Sequence, residues 1–295
     1  MALFLGPVVR KINTALTSIR YISTGSTCFG ARGLTKTNIR NGMKSVVLSD
    51  PKTRNCLSVS MMEDIIEDIL VDQNNFEVRC IVISAEGPVF SSGHNLKELA
   101  GRGKEGCAEI FAICSTLMNA IADAPVPIVA AVDGVAAAAG CQLVAACDLA
   151  VCTQRSTFST PGASWGLFCS TPGIPLARAV PRKVAAHMLF TGLPISAEVA
   201  LRAGLVSSVV DDGKLDEEVA KVVESISKKS RDVLALGKKF FYQQIEMDLC
   251  SAYRLGESVM VGNIGLPDGQ EGLKSFAEKR QPQWKESGGG PTSTA

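Results

Sequence analysis

From Ser45 the chain alternates short apolar runs with stretches whose apolar residues recur every three or four positions. SVVLS (45–49), VRCIVIS (78–84), PIVAAV (127–132), LAVCT (149–153) and LVSSVV (205–210) are short and bounded by polar or turn residues, which predicts buried strands. Between the first two, SMMEDIIEDILVDQ places Met62, Ile65, Ile66, Ile69 and Leu70 at helical spacing. Strands alternating with helices need crossover connections, so the pattern predicts an α/β fold on a mostly parallel sheet. After Leu215 the character changes. LDEEVAKVVESISKKS, RDVLALGKKFFYQQIEMDL and EGLKSFAEKRQPQW read as amphipathic helices, and the Gly/Pro/Ser/Thr tail from Ser287 reads as disordered.

At 295 residues and 46% hydrophobic, the chain has enough apolar material for one large buried core. Its net charge of +1 sets up no global field for nucleic acid or an acidic membrane, so neither is expected as a partner. The charge is unevenly spread. No Asp or Glu precedes Asp50, whereas Arg10, Lys11, Arg20, Arg32, Lys36, Arg40 and Lys44 do, among many Ser and Thr. That profile predicts a mitochondrial transit peptide over residues 1–38, cleaved before Arg40, and hence a matrix location. The alternative is a plain basic tail. The longest charge-free apolar stretch, between Asp133 and Asp148, falls short of the ~20 residues a membrane span needs, so none is expected. The ten cysteines form no CxxC pair and only His94 and His187 supply imidazole, which argues for buried thiols and against a metal site.

Two motif matches fail on context. GRGKEG (101–106) satisfies G-x-G-x-x-G, but the polar HNLKELA precedes it where a dinucleotide fingerprint needs a strand, so a solvated loop is expected. GASWG (162–166) satisfies G-x-S-x-G, but Pro161 precedes it, Pro172 and Pro175 follow before a helix is expected, and no acid lies between Ser164 and His187. A serine hydrolase using Ser164 is the weaker enzyme reading.

GVAAAAGCQ (134–142) leaves a strand and enters a helix through residues that offer backbone and almost no side chain. The first N–H groups of a helix have no internal partner, and small side chains let a ligand oxygen approach them. Tight packing of an Ala-rich helix explains the same alanines. A second turn, GPVFSSGHNLKEL (87–99), also follows a strand and runs through small residues into a helix. Two such turns, each aiming one N–H at a shared carbonyl oxygen, would form an oxyanion hole made of backbone.

RNCLS (54–58), VFSSGHNLKEL (89–99), PIVAAVDGVAAAAGCQLVAACDLAV (127–151), FSTPGASWGL (158–167), RAV…MLFTG…ISAEVALRAGLV (178–206) and EGLKSFAEKR (271–280) together resemble the enoyl-CoA hydratase/isomerase (crotonase) superfamily. The resemblance implies a spiral of ββα units over residues 39–230. It also implies a helical trimerisation region over 231–285, ahead of the tail at 286–295, and a homotrimer or hexamer. It implies an acyl-CoA thioester as ligand, with coenzyme A carried by the substrate and no separate cofactor. The oxyanion donors become the N–H groups of His94 and Ala139. Arg54 and Ser92 become substrate contacts. Phe276 and Lys279 match positions that reach across a subunit interface toward the nucleotide end of coenzyme A, though an ordinary helix face explains that pair equally well.

Hydratases of this family use two glutamates. Those places here hold Gln142 and Gly162, and no Asp or Glu occurs between Asp148 and Glu198. An amide and a hydrogen cannot activate water or move a proton to the α-carbon. Losing both carboxylates while keeping the hole predicts hydration at least ~10⁴-fold below a competent hydratase. The expected functions are an acyl-CoA-binding protein of mitochondrial lipid metabolism, a non-catalytic acyl-CoA-binding regulator, or a slow hydrolase or isomerase using another base. A purely oligomeric scaffold is the remaining alternative.

Overall fold

The computed structural model describes residues 33–285, so the expected transit peptide up to Arg32 and the expected tail at 286–295 lie outside the described residues. The strands are β1 Thr35–Arg40, β2 Met43–Leu48, β3 Cys80–Ala85, β4 Val89–Ser91, β5 Ile128–Val132, β6 Val135–Ala137, β7 Leu149–Thr153, β8 Thr157–Ser159, β9 Ile195–Ser196 and β10 Ser208–Val210. The helices are α1 Val59–Val71, α2 Leu96–Gly101, α3 Lys104–Asp123, α4 Ala139–Ala146, α5 Ser170–Ala179, α6 Arg182–Thr191, α7 Ala197–Ala203, α8 Leu215–Ser227, α9 Arg231–Gln244, α10 Leu249–Gly265 and α11 Pro267–Ala277.

A six-stranded sheet runs β1-β2-β3-β5-β7-β10, and a four-stranded sheet runs β4-β6-β8-β9. Only β1–β2 and β8–β9 pair antiparallel. In each of β3–β4, β5–β6 and β7–β8 the first strand joins the large sheet and the second the small one, with helix following. That is the expected spiral of ββα units.

The large sheet is covered on both faces, and alternation within each strand decides which face a side chain meets. Ile81, Ile83, Ile128, Ala130, Val132, Ala150 and Cys152 join the main core with α1 and α3. Their neighbours Cys80, Val82, Val129, Ala131 and Val151 pack instead on Val219 and Val223 of α8. This two-sided burial is why these strands read as continuous apolar runs. The main-core helix α1 is started by Ser58, whose hydroxyl accepts from Met61 N–H at 3.2 Å, and buries Met61, Met62, Ile65 and Ile69 along one side.

Several expectations shift. β1 begins at Thr35, upstream of the boundary drawn at 39; Thr35 is itself buried, its hydroxyl donating to Asp68 at 2.7 Å. GRGKEG is a helix junction rather than a loop: Arg102 and Gly103 separate α2 from α3, whose first turn holds Lys104, Glu105 and Gly106. At 20 residues α3 is long and apolar enough to cross a membrane by length and composition, which the stretch at 133–148 is not. In the fold, however, Ile110, Cys114, Leu117 and Ile121 of α3 are buried in the main core. Pro172 and Pro175 do not prevent a helix; both lie inside α5. Pro172 stands in its first turn, where an N–H has no internal partner to lose.

Candidate active site

The first turn leaves β4 through Ser91, Ser92 and Gly93. Ser91 Oγ donates to Asn55 O at 2.7 Å, and Ser92 N–H donates to Arg54 O at 3.0 Å. Asn55 braces the same corner, donating through Nδ2 to Glu86 O at 2.9 Å and Val89 O at 2.8 Å. Arg54 and Ser92 are thereby brought together at the rim. Gly93 has φ +90°, open to glycine and strained for other residues. Leu57 N–H donates to Gly93 O at 2.8 Å, and Leu57 and His94 form an isolated parallel bridge. Such a bridge uses the backbone groups flanking His94, so the N–H of His94 itself faces away from Leu57.

The second turn leaves β6. Ala138 has φ +50° and ψ −117°, a region for which glycine has no steric penalty and alanine does. It is held there from both sides: its N–H donates to Ser159 O at 2.8 Å, and its carbonyl accepts from Gln142 N–H at 3.0 Å. Ala139 then opens α4, so its N–H has no partner within the helix. A Cβ on Gly93 would lie 3.0 Å from Ala139 N and 2.8 Å from Ala138 Cβ. Only the missing side chain of Gly93 lets the two turns close on each other. Neither the His94 nor the Ala139 N–H donates to another group of the described residues. The backbone strain of this turn is at Ala138, while Ala139 is helical.

The His94 imidazole does not cap its own turn. Asn95 does that, its Oδ1 accepting from Lys97 N–H at 3.1 Å and Glu98 N–H at 3.4 Å. The His94 ring lies edge-on to Phe111, centroids 5.3 Å apart, with Nδ1 3.4 Å from Leu57 O. Its Nε2 is buried with no partner. Burial lowers the imidazole pKa, against weaker opposing pulls from the Leu57 carbonyl and Glu98, so the ring is neutral at pH 7.

Gln142 is 3% exposed on α4, and the Cys114 thiol of α3 donates to its Oε1 at 3.8 Å. Gly162 sits in a 3₁₀ turn over Pro161–Trp165. A Cβ there would lie 2.1 Å from Leu167 O and 2.7 Å from Cys169 Sγ. This backbone leaves no room for any side chain at the second glutamate position. Burial pushes the thiols of Cys114 up to about 11 and of Cys141 up to about 12, and raises Cys169 against the Gly162 N–H that faces its sulfur. All three are neutral at pH 7.

Phe276 and Lys279 lie elsewhere. Phe276 is 87% exposed on α11, and no hydrogen bond, ion pair or ring contact joins either residue to the two turns among the described residues. Cys114 against Gln142, and Leu167 O against Gly162, had no signal in the sequence.

A spiral of ββα units with a turn leaving β4 and another leaving β6 into a helix is the fold that the crotonase resemblance implies, and the comparisons agree on the family. Residues 38–287 match the enoyl-CoA hydratase/isomerase family, and the chain belongs to it. Among its relatives is rat enoyl-CoA hydratase domain-containing protein 3, mitochondrial, 53% identical over 252 residues, or 85% of this chain and 84% of the relative. The human protein of that name is 54% identical over 245 residues, covering 83% and 81%. The crystal structure of human enoyl-CoA hydratase domain-containing protein 3 superposes with a TM-score of 0.84 at 52% identity, covering 85% of this chain and all of that one. An enoyl-CoA hydratase of Mycobacterium smegmatis gives 0.84 at 41% identity, covering 86% and 99%.

Proposed function

We propose that this protein binds acyl-CoA thioesters, polarising the thioester carbonyl between the N–H groups of His94 and Ala139, and that it is not an efficient enoyl-CoA hydratase. The observation that carries the second half is Gly162. Its backbone excludes a side chain, and the companion position holds an amide, Gln142, rather than a carboxylate. Hydration of crotonyl-CoA should therefore run at least ~10⁴-fold below a hydratase carrying both glutamates. Protection against heat by butyryl-CoA together with that deficit supports the reading. Ordinary crotonyl-CoA turnover defeats it, and absence of any acyl-CoA protection leaves only a scaffold.

A slow hydrolase or isomerase reaction is the second reading, favoured by the unpaired Nε2 of neutral His94, the one imidazole beside the hole. His94→Ala keeps the backbone donor and removes the base. Activity that survives it excludes His94 as the proton acceptor.

The reading extends to assembly and location. α10 has no buried residue, and Leu249, Tyr253, Met260 and Val261 stand 55–74% exposed along it. A homotrimer or hexamer would cover that face and could bring Phe276 and Lys279 toward a partner's ligand; light scattering of the purified protein reads the stoichiometry. Work in the mitochondrial matrix on lipid-derived thioesters fits the basic leader and the word mitochondrial in the relatives' names.

A further inference from the structure

The groups bordering the hole have an imbalance. Side chains on a helix lean toward its N-terminus, so Gln142, one turn after Ala139, lies over the turn that presents the Ala139 N–H. Its carboxamide has two ends. The Cys114 thiol occupies Oε1, and Nε2 donates to nothing among the described residues. His94, Cys114, Cys141 and Cys169 are all neutral at pH 7, and Gly162 contributes no side chain. The thioester carbonyl satisfies the two backbone donors and leaves the Gln142 amide hydrogens unmatched. A plain alkyl chain laid over that donor would cut it off from water without giving it a partner, an expensive arrangement.

We infer that Gln142 is a specificity-determining residue that selects thioesters carrying a carbonyl oxygen on the β carbon, of the 3-oxoacyl or malonyl type, by donating from Nε2 to that oxygen. This rests on the thioester-binding reading above. A glutamate at the same position would repel such an oxygen; the amide and the Cys114 thiol that orients it turn a proton-transfer position into a recognition position.

The test is titration of the purified full-length protein with butyryl-CoA, acetoacetyl-CoA and malonyl-CoA. Acetoacetyl-CoA, malonyl-CoA or both should bind about tenfold or more tightly than butyryl-CoA, the size of one buried hydrogen bond gained. A preference for both identifies the carbonyl as the recognised group; a preference for malonyl-CoA alone identifies the carboxylate. Gln142→Met, which removes the unmatched donor, should erase the preference, with butyryl-CoA binding more tightly than it does to the unaltered protein. Cys114→Ala, which frees Oε1, should reduce the preference and serves where Gln142→Met does not fold. Equal affinities in the unaltered protein, or a preference that survives both substitutions, overturn the inference. Failure of butyryl-CoA itself to bind would instead sink the thioester reading.

Discussion

Two polar regions of this molecule are built on opposite terms. Beneath α9, Lys238 is buried and donates to Asp148 at 2.7 Å, Ile121 O at 2.8 Å and Val126 O at 3.1 Å. The other carboxylate oxygen of Asp148 accepts from Tyr242 at 2.8 Å, and Ile128 N–H closes the set at 2.6 Å. Each ammonium hydrogen has an acceptor there, and the carboxylate holds the start of β5 against α9. At the paired turns the reverse holds. Among the described residues two backbone amides, the Gln142 carboxamide nitrogen and the buried His94 Nε2 have no hydrogen-bond partner, and Ala138 sits in a strained conformation. The first region spends its polar groups on stability; the second keeps them unspent. Unmatched donors and backbone strain are what a ligand site retains at a cost that the rest of the fold offsets.

That contrast can be broken at its closed end first. Lys238→Ala leaves the Asp148 carboxylate without its cation and should cost about 3–5 kcal/mol in chemical denaturation, the largest effect expected. Next is Gly162→Ala, whose new methyl meets Leu167 O. It should destabilise by about 1–3 kcal/mol, as overpacking of a fixed backbone does. If it costs nothing, the turn is pliable and a glutamate there becomes feasible. Ala138→Gly should do the opposite and raise stability by about 1 kcal/mol, because relieving positive φ outweighs the added freedom of the unfolded chain.

The smallest effect concerns pH. The folded-state pKa of His94 is lowered, so the unfolded chain takes up its proton first as pH falls below the ordinary histidine value. The contribution is present at pH 7.5 and is lost as pH falls from about 6.5 toward the lowered folded value. Comparing urea midpoints at pH 7.5 and 5.5 for the unaltered protein and His94→Asn should show a smaller acid loss in the variant.

Much of the architecture was legible from residues alone. LAVCT coincides with β7, and the apolar runs before it locate β2, β3 and β5 because two-sided burial demands continuous apolar text. The short strands β4, β6, β8 and β9 were not, since two or three residues carry no measurable period. Their hydrogen bonds depend on the parallel neighbours that the spiral supplies. At the site, the two small-residue turns were legible as patterns, whereas the positions of His94, Ala139, Gln142 and Gly162 within it came only from the resemblance to the crotonase family. Cys114 lies 28 positions from Gln142, and its role exists only once α3 packs beside α4. The strain at Ala138 is likewise a matter of one dihedral pair that no composition rule resolves.

The His94 and Ala139 amides stand at the ends of neighbouring spiral units whose strands, β3 and β5, are locked in register from Ile81 with Ile128 to Ile83 with Ala130. Their spacing is therefore set by a ladder of main-chain bonds. Replacing the side chain of His94 or Ala139 by anything but proline leaves its N–H in place, so on the proposed reading the acids can be absent while the grip on a carbonyl stays. Chemistry can be lost here residue by residue while the handle outlives it.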